Sequence, residues 1–395
     1  MPYFHTLFAG IIFLTLLFIS SSSVSAATPT TTAVSVSSSG IIGNNTSNSN
    51  KSAISADGRF VVFESDADNL VSGDTNGTSD VFVHDRQTGT TTRVSVTTDG
   101  VQGNGSSESP AISADGRFIS FTSYADNLVS GDTNGFEDVF VHDRQTGTTT
   151  RVSVTTDGMQ GNYHSFSSAI SADGRFVSFV SWATNLVSGN SHGTSDVFVH
   201  DRQSGTTTRV SVTTGGIQGN NYSGSPAISA DGRFVSFHSN ADNLVSGDSN
   251  GTSDVFVHDR QTGTTTRVSV TTGGIQGNNY SGSPAISADG RFVSFSSYAD
   301  NLVSGDSNGP WDVFVHDRQT GTTTRVSVTT DGIQGNSDSS SPAISADGRF
   351  VTFSSQADNL VSGDSNGFFS DVFVHDRPTS FPWPMFLPAI TGGRN

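Results

Sequence analysis

Four loops of the chain carry aspartate and asparagine at the spacing of a cation-binding turn. In the first, SGDTNGTSD at 72–80, Asp74, Asn76 and Asp80 surround Gly77. Carboxylate and amide oxygens are ligands of calcium, and a glycine permits the sharp turn of such a loop. The third repeat keeps only the last acid of this pattern. The four sets of candidate ligands are Asp74, Asn76 and Asp80; Asp132, Asn134 and Asp138; Asp248, Asn250 and Asp254; and Asp306, Asn308 and Asp312.

These loops have a second interpretation that needs no ion. Two acids and one amide make a thin ligand shell for a hard cation. An Asn-Gly turn whose ends are capped by aspartate has the same sequence. Calcium is therefore a candidate cofactor that would raise the melting temperature, and no cofactor is required.

A histidine precedes an aspartate in every copy of the motif VFVHDR, from His84-Asp85 to His375-Asp376. A His–Asp pair could act as a general base, but a catalytic site needs groups in distinct roles at one place. The pattern G-x-S-x-G occurs as GNSHG at 189–193 and as GDSNG at 247–251, 305–309 and 363–367, but as a repeated loop between predicted strands and not as the strand-to-helix turn of a nucleophile elbow. We therefore expect these pairs to be structural, and we assign no catalytic residue.

Aromatic side chains vary between the repeats at loop positions that we expect to lie on one face. Clustered aromatic residues are favoured contacts for sugars and protein partners. The alternative is that they cap the ends of the sheets and shield the core. The candidate binding residues are Tyr124, Phe136, Tyr163, His164, Trp182, Tyr222, Tyr280, Tyr298, Trp311 and Phe368.

The elements that position these residues repeat along the chain. The aspartates of SADG follow one another from Asp57 to Asp347 at a constant step, which indicates a propeller or solenoid. Each repeat reads as four short strands: SAIS or PAIS, RFVVF, DVFVHD and TTRVSV. Ala-Asp-Gly joins the first pair, and RQTG joins the second pair with glycine in the left-handed conformation. The second strand is apolar on both faces, whereas the fourth alternates and should be half-exposed.

The two ends of the repeat region complement each other. The repeat region begins with TTTAVSV, which matches a fourth strand, and ends with DVFVHDR, which matches a third strand. The sequence therefore predicts an all-β, six-bladed β-propeller of four-stranded antiparallel blades. We expect its ring to be closed by the N-terminal strand 31–36 pairing with the last blade, beside 371–377.

The motif SADGRFVSFSS, followed by DVFVHDRQTG and RVSV, resembles the repeat of TolB-like β-propellers. The resemblance covers about 30–377 and implies a propeller fold. Such propellers serve as binding platforms, as envelope components and as domains of peptidases, so the resemblance implies no single activity. Alanine replaces the usual proline before Asp-Gly in all six copies here.

The remaining features concern the location of the protein. The apolar run 7–19, followed by Val24-Ser25-Ala26, is typical of a signal peptide over 1–26, with an uncleaved membrane anchor as the alternative. The propeller then spans 27–377, and a proline-rich apolar tail spans 378–395, either packed on the ring or acting as an envelope-sorting tag. The formal net charge of −17 argues against nucleic acid as a partner. The sequence contains no cysteine, which excludes disulfides.

Taken together, the sequence predicts an exported, monomeric propeller without a membrane span in the mature chain, located in the periplasm, at the cell surface or outside the cell. We expect a non-catalytic binding or structural module that recognises a protein or a glycan through its loop face. The alternative is a carbohydrate-active or other hydrolytic propeller that uses the same face.

Overall fold

The computed structural model describes residues 31–190, 193–364 and 369–377, with residues 48–52 described by their backbone alone. The chain divides into two compact units, Met1–Ala33 and Val34–Asn395, and all described strands belong to the second. No helix within the described ranges is long and apolar enough to cross a membrane. The strands are β1 Ser47–Ile54, β2 Phe60–Ser65, β3 Asp80–Asp85, β4 Thr90–Arg93, β5 Ser107–Ile112, β6 Phe118–Ser123, β7 Asp138–Asp143, β8 Thr148–Arg151, β9 Ser165–Ile170, β10 Phe176–Ser181, β11 Asp196–Asp201, β12 Thr206–Arg209, β13 Ser223–Ile228, β14 Phe234–Ser239, β15 Asp254–Asp259, β16 Thr264–Arg267, β17 Ser281–Ile286, β18 Phe292–Ser297, β19 Asp312–Asp317, β20 Thr322–Arg325, β21 Ser339–Ile344, β22 Phe350–Ser355 and β23 Asp371–Asp376.

The strands form six antiparallel sheets, each built from consecutive strands of one repeat. The first five sheets have four strands, and the sixth, formed by β21, β22 and β23, has three. This is the all-β, six-bladed β-propeller that the repeat predicts. The blades are numbered in the order of the chain.

Two hairpins build each blade, and both use the turns that the sequence predicts. In the first blade, the Ser55 hydroxyl donates to Asp57 and accepts from the Phe60 N–H, while Gly58 adopts a φ of 72°. In the second hairpin, Asp85 accepts the Gln87 N–H. Both turns therefore fix the register of the strands that they join.

An ion pair joins the two hairpins of each blade. The Arg59 guanidinium donates to both carboxylate oxygens of Asp85, at 2.9 and 2.7 Å. Bidentate pairs of this kind combine charge with fixed geometry. The Arg59 side chain is 38 % exposed, so we regard the pair mainly as a device that orients the hairpins.

The hydrophobic core lies between the blades. Val81 and Val83 of β3 pack against Phe121 and Phe140 of the second blade, and none of the four is more than 1 % exposed. The same arrangement recurs at each of the following junctions up to the sixth blade. Each blade therefore depends on its successor to bury the apolar residues of its third strand.

Polar and cation–π contacts reinforce these junctions. The Ala56 N–H donates to the Ala114 carbonyl at 2.9 Å, and the series continues blade by blade to Ala346. The Phe60 ring lies between the guanidinium groups of Arg59 and Arg144, whose Cζ atoms are 4.6 and 4.1 Å from its centroid. Because Arg144 belongs to the second blade, this contact ties neighbouring blades together.

The sixth blade departs from the predicted closed ring. Its sheet has three strands, and Val36 forms an isolated bridge with Ile42 and not a ladder with β23. The Ser35 carbonyl accepts the Gly43 N–H, so this stretch belongs to the loop that enters the first blade. The prediction that 31–36 completes the last blade is therefore wrong for the described part of the chain. The same bridge and hydrogen bond follow the paired fourth strand of the first blade, between Val96 and Gln102 and between Ser95 and Gly103, so these local bonds are not what prevents the pairing.

The closest packing between blades involves glycine. A Cβ on Gly174 would lie 2.1 Å from Cδ2 of Phe118 in the preceding blade, and the φ of Gly174 is 72°. Gly205 has a similar φ of 73° but no heavy atom within 4 Å of such a Cβ. The first glycine is thus needed for packing as well as for its backbone conformation.

We predict that Gly174→Ala lowers the urea midpoint of unfolding much more than Gly205→Ala does. Both variants carry the cost of a left-handed alanine, about 1 kcal/mol. Only Gly174→Ala also displaces the Phe118 ring, which adds roughly 1–3 kcal/mol of overpacking. Equal midpoints for the two variants would contradict close packing of Gly174 against the preceding blade.

Candidate functional site

The aromatic residues of the loops form two clusters in the structure. The first aromatic cluster belongs to the second and third blades, and the second belongs to the fourth and fifth. Ring contacts of 4.1–6.5 Å between centroids connect the members of each cluster. The first aromatic cluster consists of Tyr124, Phe136, Tyr163, His164, Phe166 and Trp182, and the second of Tyr222, His238, Tyr280, Tyr298 and Trp311.

Buried residues in the adjoining loop hold these rings at the surface. Tyr124 directly precedes Ala125 and is followed by Leu128, which are 1 % and 2 % exposed. The Asn127 side chain fixes the loop by donating to the Gln102 carbonyl and accepting the Asn104 N–H. The backbone is therefore anchored while the aromatic side chain remains half-exposed.

The first aromatic cluster is an open platform. The rings of Tyr163 and Trp182 stack with centroids 5.8 Å apart and an angle of 28° between their planes. Both side chains are 40 % exposed. His164 fixes the backbone of this cluster, because its carbonyl accepts the backbone N–H of Trp182 and its Nδ1 accepts the backbone N–H of Glu137. The stacked pair thus presents aromatic surface to solvent on a fixed backbone.

The second aromatic cluster surrounds a buried histidine. The His238 ring lies 5.4 Å from that of Tyr222 and 6.5 Å from that of Tyr280. Burial lowers the pKa of His238 to about 4, and burial also raises the pKa of Tyr222. Gly224 makes room for the Tyr222 side chain, since a Cβ there would lie 2.4 Å from the tyrosine hydroxyl oxygen. This cluster is more enclosed than the first.

A cleft of about 530 Å³ lies between Tyr163 and Trp182 on one side and Tyr222 on the other. Its volume is in the range of small-ligand sites. The remaining lining residues are small or uncharged: Asn162, Thr184, Gly193, Thr194 and Ser195. Aromatic faces and uncharged hydrogen-bonding groups are therefore adjacent in one concave site.

The structure brings most of the predicted binding residues together, but into two clusters and not a single surface. Tyr163, Trp182 and Tyr222 line the cleft. Tyr298 and Trp311 do not line it, and their ring centroids lie 4.1 Å from each other. Phe368 lies outside the described residues. The site prediction does not include the uncharged lining residues. The sequence offers one signal for them, because Gly193 to Ser195 belong to the one loop whose acidic pattern is degraded.

The acidic loops bind an arginine of the same blade. Arg93 of β4 lies 3.4 Å from the Asp74 carboxylate and 3.3 Å from that of Asp80. The Gln102 amide donates to both carboxylates at 2.8 and 2.7 Å, and the Ser95 hydroxyl donates to Asp80 at 2.5 Å. One guanidinium thus already pairs with both carboxylates, and a calcium ion would have to displace it.

This arrangement also corrects the expected exposure of the fourth strand. Arg93 and Ser95 alternate with buried valines in the sequence, and this alternation predicts that they face solvent. The Arg93 side chain is only 10 % exposed, and Ser95 is fully buried. The reason is that both side chains turn toward Asp80, a buried carboxylate that needs partners and whose pKa is raised by its burial.

The third blade breaks the pattern beside the cleft. Asn190 replaces the first aspartate, so Arg209 retains only Asp196, at 3.7 Å. Gln218 still bridges the two positions by donating to Asn190 and Asp196 at 2.8 and 2.6 Å. The loop that follows Asn190 supplies three lining residues of the cleft. Loss of symmetry and the concave site thus occur in the same repeat.

The His-Asp pairs have separate partners, which agrees with a structural role. His84 Nδ1 lies 2.9 Å from the Thr91 hydroxyl oxygen of the neighbouring strand, while Asp85 binds Arg59. The same contact recurs between His258 and Thr265. Burial lowers the pKa of each of these histidines. They are therefore neutral hydrogen-bonding groups of the blades near neutral pH.

Comparison with known proteins shows similarity in fold alone. No family model matches the chain, and no curated protein sequence matches it either. Solved structures that it resembles include an acylaminoacyl peptidase from Pyrococcus horikoshii, with a TM-score of 0.50, 11% identity, and coverage of 84% of this chain and 44% of that one.

Two TolB structures are also among the similar structures. TolB from Acinetobacter baumannii has a TM-score of 0.41 and 19% identity, with 71% of this chain and 54% of that chain covered. A putative TolB from Agrobacterium tumefaciens has a TM-score of 0.45 and 15% identity, with 85% and 91% covered. The sheet topology itself defines the chain as a six-bladed β-propeller, and its structural neighbours include these TolB structures. The chain spans about half the length of the first of them.

Calcium would compete for the same carboxylate oxygens with Arg93, Arg151, Arg267 and Arg325. A site with a Kd of about 10 μM would add roughly 2.7 kcal/mol of stability at 1 mM calcium. Because Arg93 and its counterparts already pair with the carboxylates, we expect equal melting temperatures in 1 mM calcium and in chelator. A rise of several degrees in calcium would support calcium-binding loops and contradict this expectation.

The buried histidines predict loss of stability in weak acid. His258 has a folded-state pKa of about 4, below its ordinary value of 6.5. The unfolded chain therefore binds more protons between pH 6.5 and 4, and stability falls as the pH falls through this window. We expect His258→Gln to make the urea midpoint less dependent on pH there. An unchanged slope, measured beside the parent protein, would show that His258 is not neutralised by burial.

Proposed function

We propose that this protein is a non-catalytic binding module that recognises a neutral carbohydrate in the cleft between Tyr163, Trp182 and Tyr222. The observation that carries the proposal is the pairing of stacked, half-exposed aromatic rings with uncharged polar groups in one cleft. Sugars present apolar C–H faces together with hydroxyl groups, so both kinds of lining have a counterpart on such a ligand.

The lining residues favour a sugar without charge. Asn162, Thr184, Thr194 and Ser195 carry uncharged amide and hydroxyl groups; Asn162 and Thr184 bond to each other, and the Ser195 hydroxyl donates to the Ser223 carbonyl. The net charge of the chain is −17, which disfavours approach of an anionic ligand at low ionic strength. A neutral oligosaccharide is therefore the ligand class that the site suits best.

The proposed location is outside the cytoplasm. The apolar run 7–19 and the small residues at 24–26 support export, although they lie outside the described residues. A propeller that binds glycans at the cell surface or in the envelope fits both this feature and the resemblance to TolB-like repeats. Fractionation of expressing cells, with mass spectrometry of the N-terminus, tests this part separately.

A glycan array followed by calorimetry tests the binding proposal. We expect Trp182→Ala to weaken binding of a neutral glycan by about 10–100-fold, as for other central aromatic contacts. Tyr298→Ala is the matched control, because Tyr298 occupies the same loop position in the fifth blade, is 39 % exposed and lies outside the cleft lining.

Three results would contradict the proposal. They are the absence of any neutral glycan ligand, an equal loss of affinity in both variants, and glycan turnover that survives purification and is abolished by Trp182→Ala. The last result would instead support the hydrolytic alternative. A similar small fall in the melting temperature is expected for both variants, because both side chains contact other rings of their cluster.

A further inference from the structure

The sixth blade ends in an exposed apolar sheet face. In each of the first five blades the equivalent face is buried by the following blade. Val372 and Val374 of β23 are 78 % and 64 % exposed, whereas their counterparts in the first five blades are at most 1 % exposed. The sheet of the sixth blade has three strands, so β23 is also its edge. An exposed and apolar edge strand is a site where another strand pairs.

We propose that residues 381–386 of this chain pair with β23 as the fourth strand of the sixth blade. These residues, FPWPMF, lie outside the described part of the chain. In the first blade, β3 ends at Asp85 and β4 begins at Thr90, so the connecting turn is short. Phe381 follows Asp376 at the same interval. The segment is therefore tethered beside the edge, at an effective concentration on the order of millimolar.

The register of the other hairpins places apolar residues beside the exposed valines. Val83 lies opposite Thr92 in the first blade. The same register sets Trp383 opposite Val374 and Met385 opposite Val372. Residues directly opposite in an antiparallel pair have Cβ atoms about 4.5–5.5 Å apart and lie on the same face of the sheet. Trp383 and Met385 would thus lie beside these valines on the same face of the sheet, as Val94 lies beside Val81 and Val83 in the first blade.

The prolines of the segment fall where the strand needs no N–H toward its partner. In the first blade the Val94 N–H donates to the Val81 carbonyl, whereas the Thr91 N–H bonds outward to the Ser38 hydroxyl. Pro382 takes the place of Thr91 in this register, and Pro384 is two residues further along. Alternate N–H groups point to the same side of a strand, so neither proline removes a bond to β23.

The turn that leads into this strand differs from the other hairpins at two positions, and one is Pro378, which stands in place of Gln87 and cannot donate the N–H bond that Asp85 accepts in the first blade. Ser380 stands where Gly89 adopts a φ of 73° in the first blade. Serine is a costly residue at such a position, but this chain uses it repeatedly. Five serines of the inner strands adopt φ values of 48–55°: Ser109, Ser167, Ser225, Ser283 and Ser341.

Disulfide mapping in the full-length chain tests the proposal, since the parent sequence has no cysteine. The variant carries Thr32→Cys, Val374→Cys and Trp383→Cys, so that the N-terminal and C-terminal segments compete for one position on β23. Paired residues of this kind have Cα atoms about 5.5 Å apart, which a disulfide can span. Val83→Cys with Thr92→Cys is the matched control, because that pair is present in the structure.

We expect mild oxidation and peptide mapping to give an intramolecular bond between positions 374 and 383. A bond between positions 374 and 32 of one chain would overturn the proposal by assigning the edge to the N-terminal segment. A bond between two chains would overturn it in favour of a second copy. Absence of any bond at position 374, while the control pair oxidises, would overturn it as well.

Discussion

The packing of each blade on the next is the interaction on which the rest of the structure depends. A four-stranded sheet of this size cannot cover both faces by itself, and the apolar residues of its third strand are buried by the following blade. The Ala-to-Ala hydrogen bonds and the arginine-enclosed phenylalanines occur at the same junctions. Residues that build these junctions are therefore repeated almost unchanged, and variation is concentrated in the loops and at a few strand positions such as those of Phe166 and His238.

The candidate site follows from this constraint. Tyr163, Trp182 and Tyr222 come from two successive blades, so the width of the cleft is set by how these blades pack. The degraded loop of the third repeat replaces an acid by Asn190, and its Arg209 has one carboxylate partner where other blades offer two. One repeat has thus lost part of its structural network at the place where the concave surface is found.

The sequence predicts the features that depend on neighbouring residues and misses those that depend on distant ones. The strands and turns follow from local patterns such as SADGRF and VFVHD, and they are present as expected. The ion pair between Asp80 and Arg93 is missed because the two residues belong to different strands. The alternation of Arg93 with buried valines along its own strand suggests an exposed side chain. Pairing of 31–36 with the last blade is wrong for the described residues because the similarity of this segment to a fourth strand does not by itself determine which strand it pairs with. The grouping of aromatic residues into two clusters depends on contacts between blades, which the repeat alone does not show.

The claim that stability resides between the blades can be tested with one matched pair of variants. Phe118 and Phe350 occupy the same position in DGRF, but Phe118 lies between Arg117 and Arg202, whereas Phe350 contacts Arg349 and is 38 % exposed. We expect Phe118→Ala to lower the free energy of unfolding by roughly 2–3 kcal/mol and Phe350→Ala by less than about 1 kcal/mol. Equal losses in urea denaturation would show that the phenylalanine stabilises its own blade, and would contradict a propeller held together chiefly by contacts between its blades.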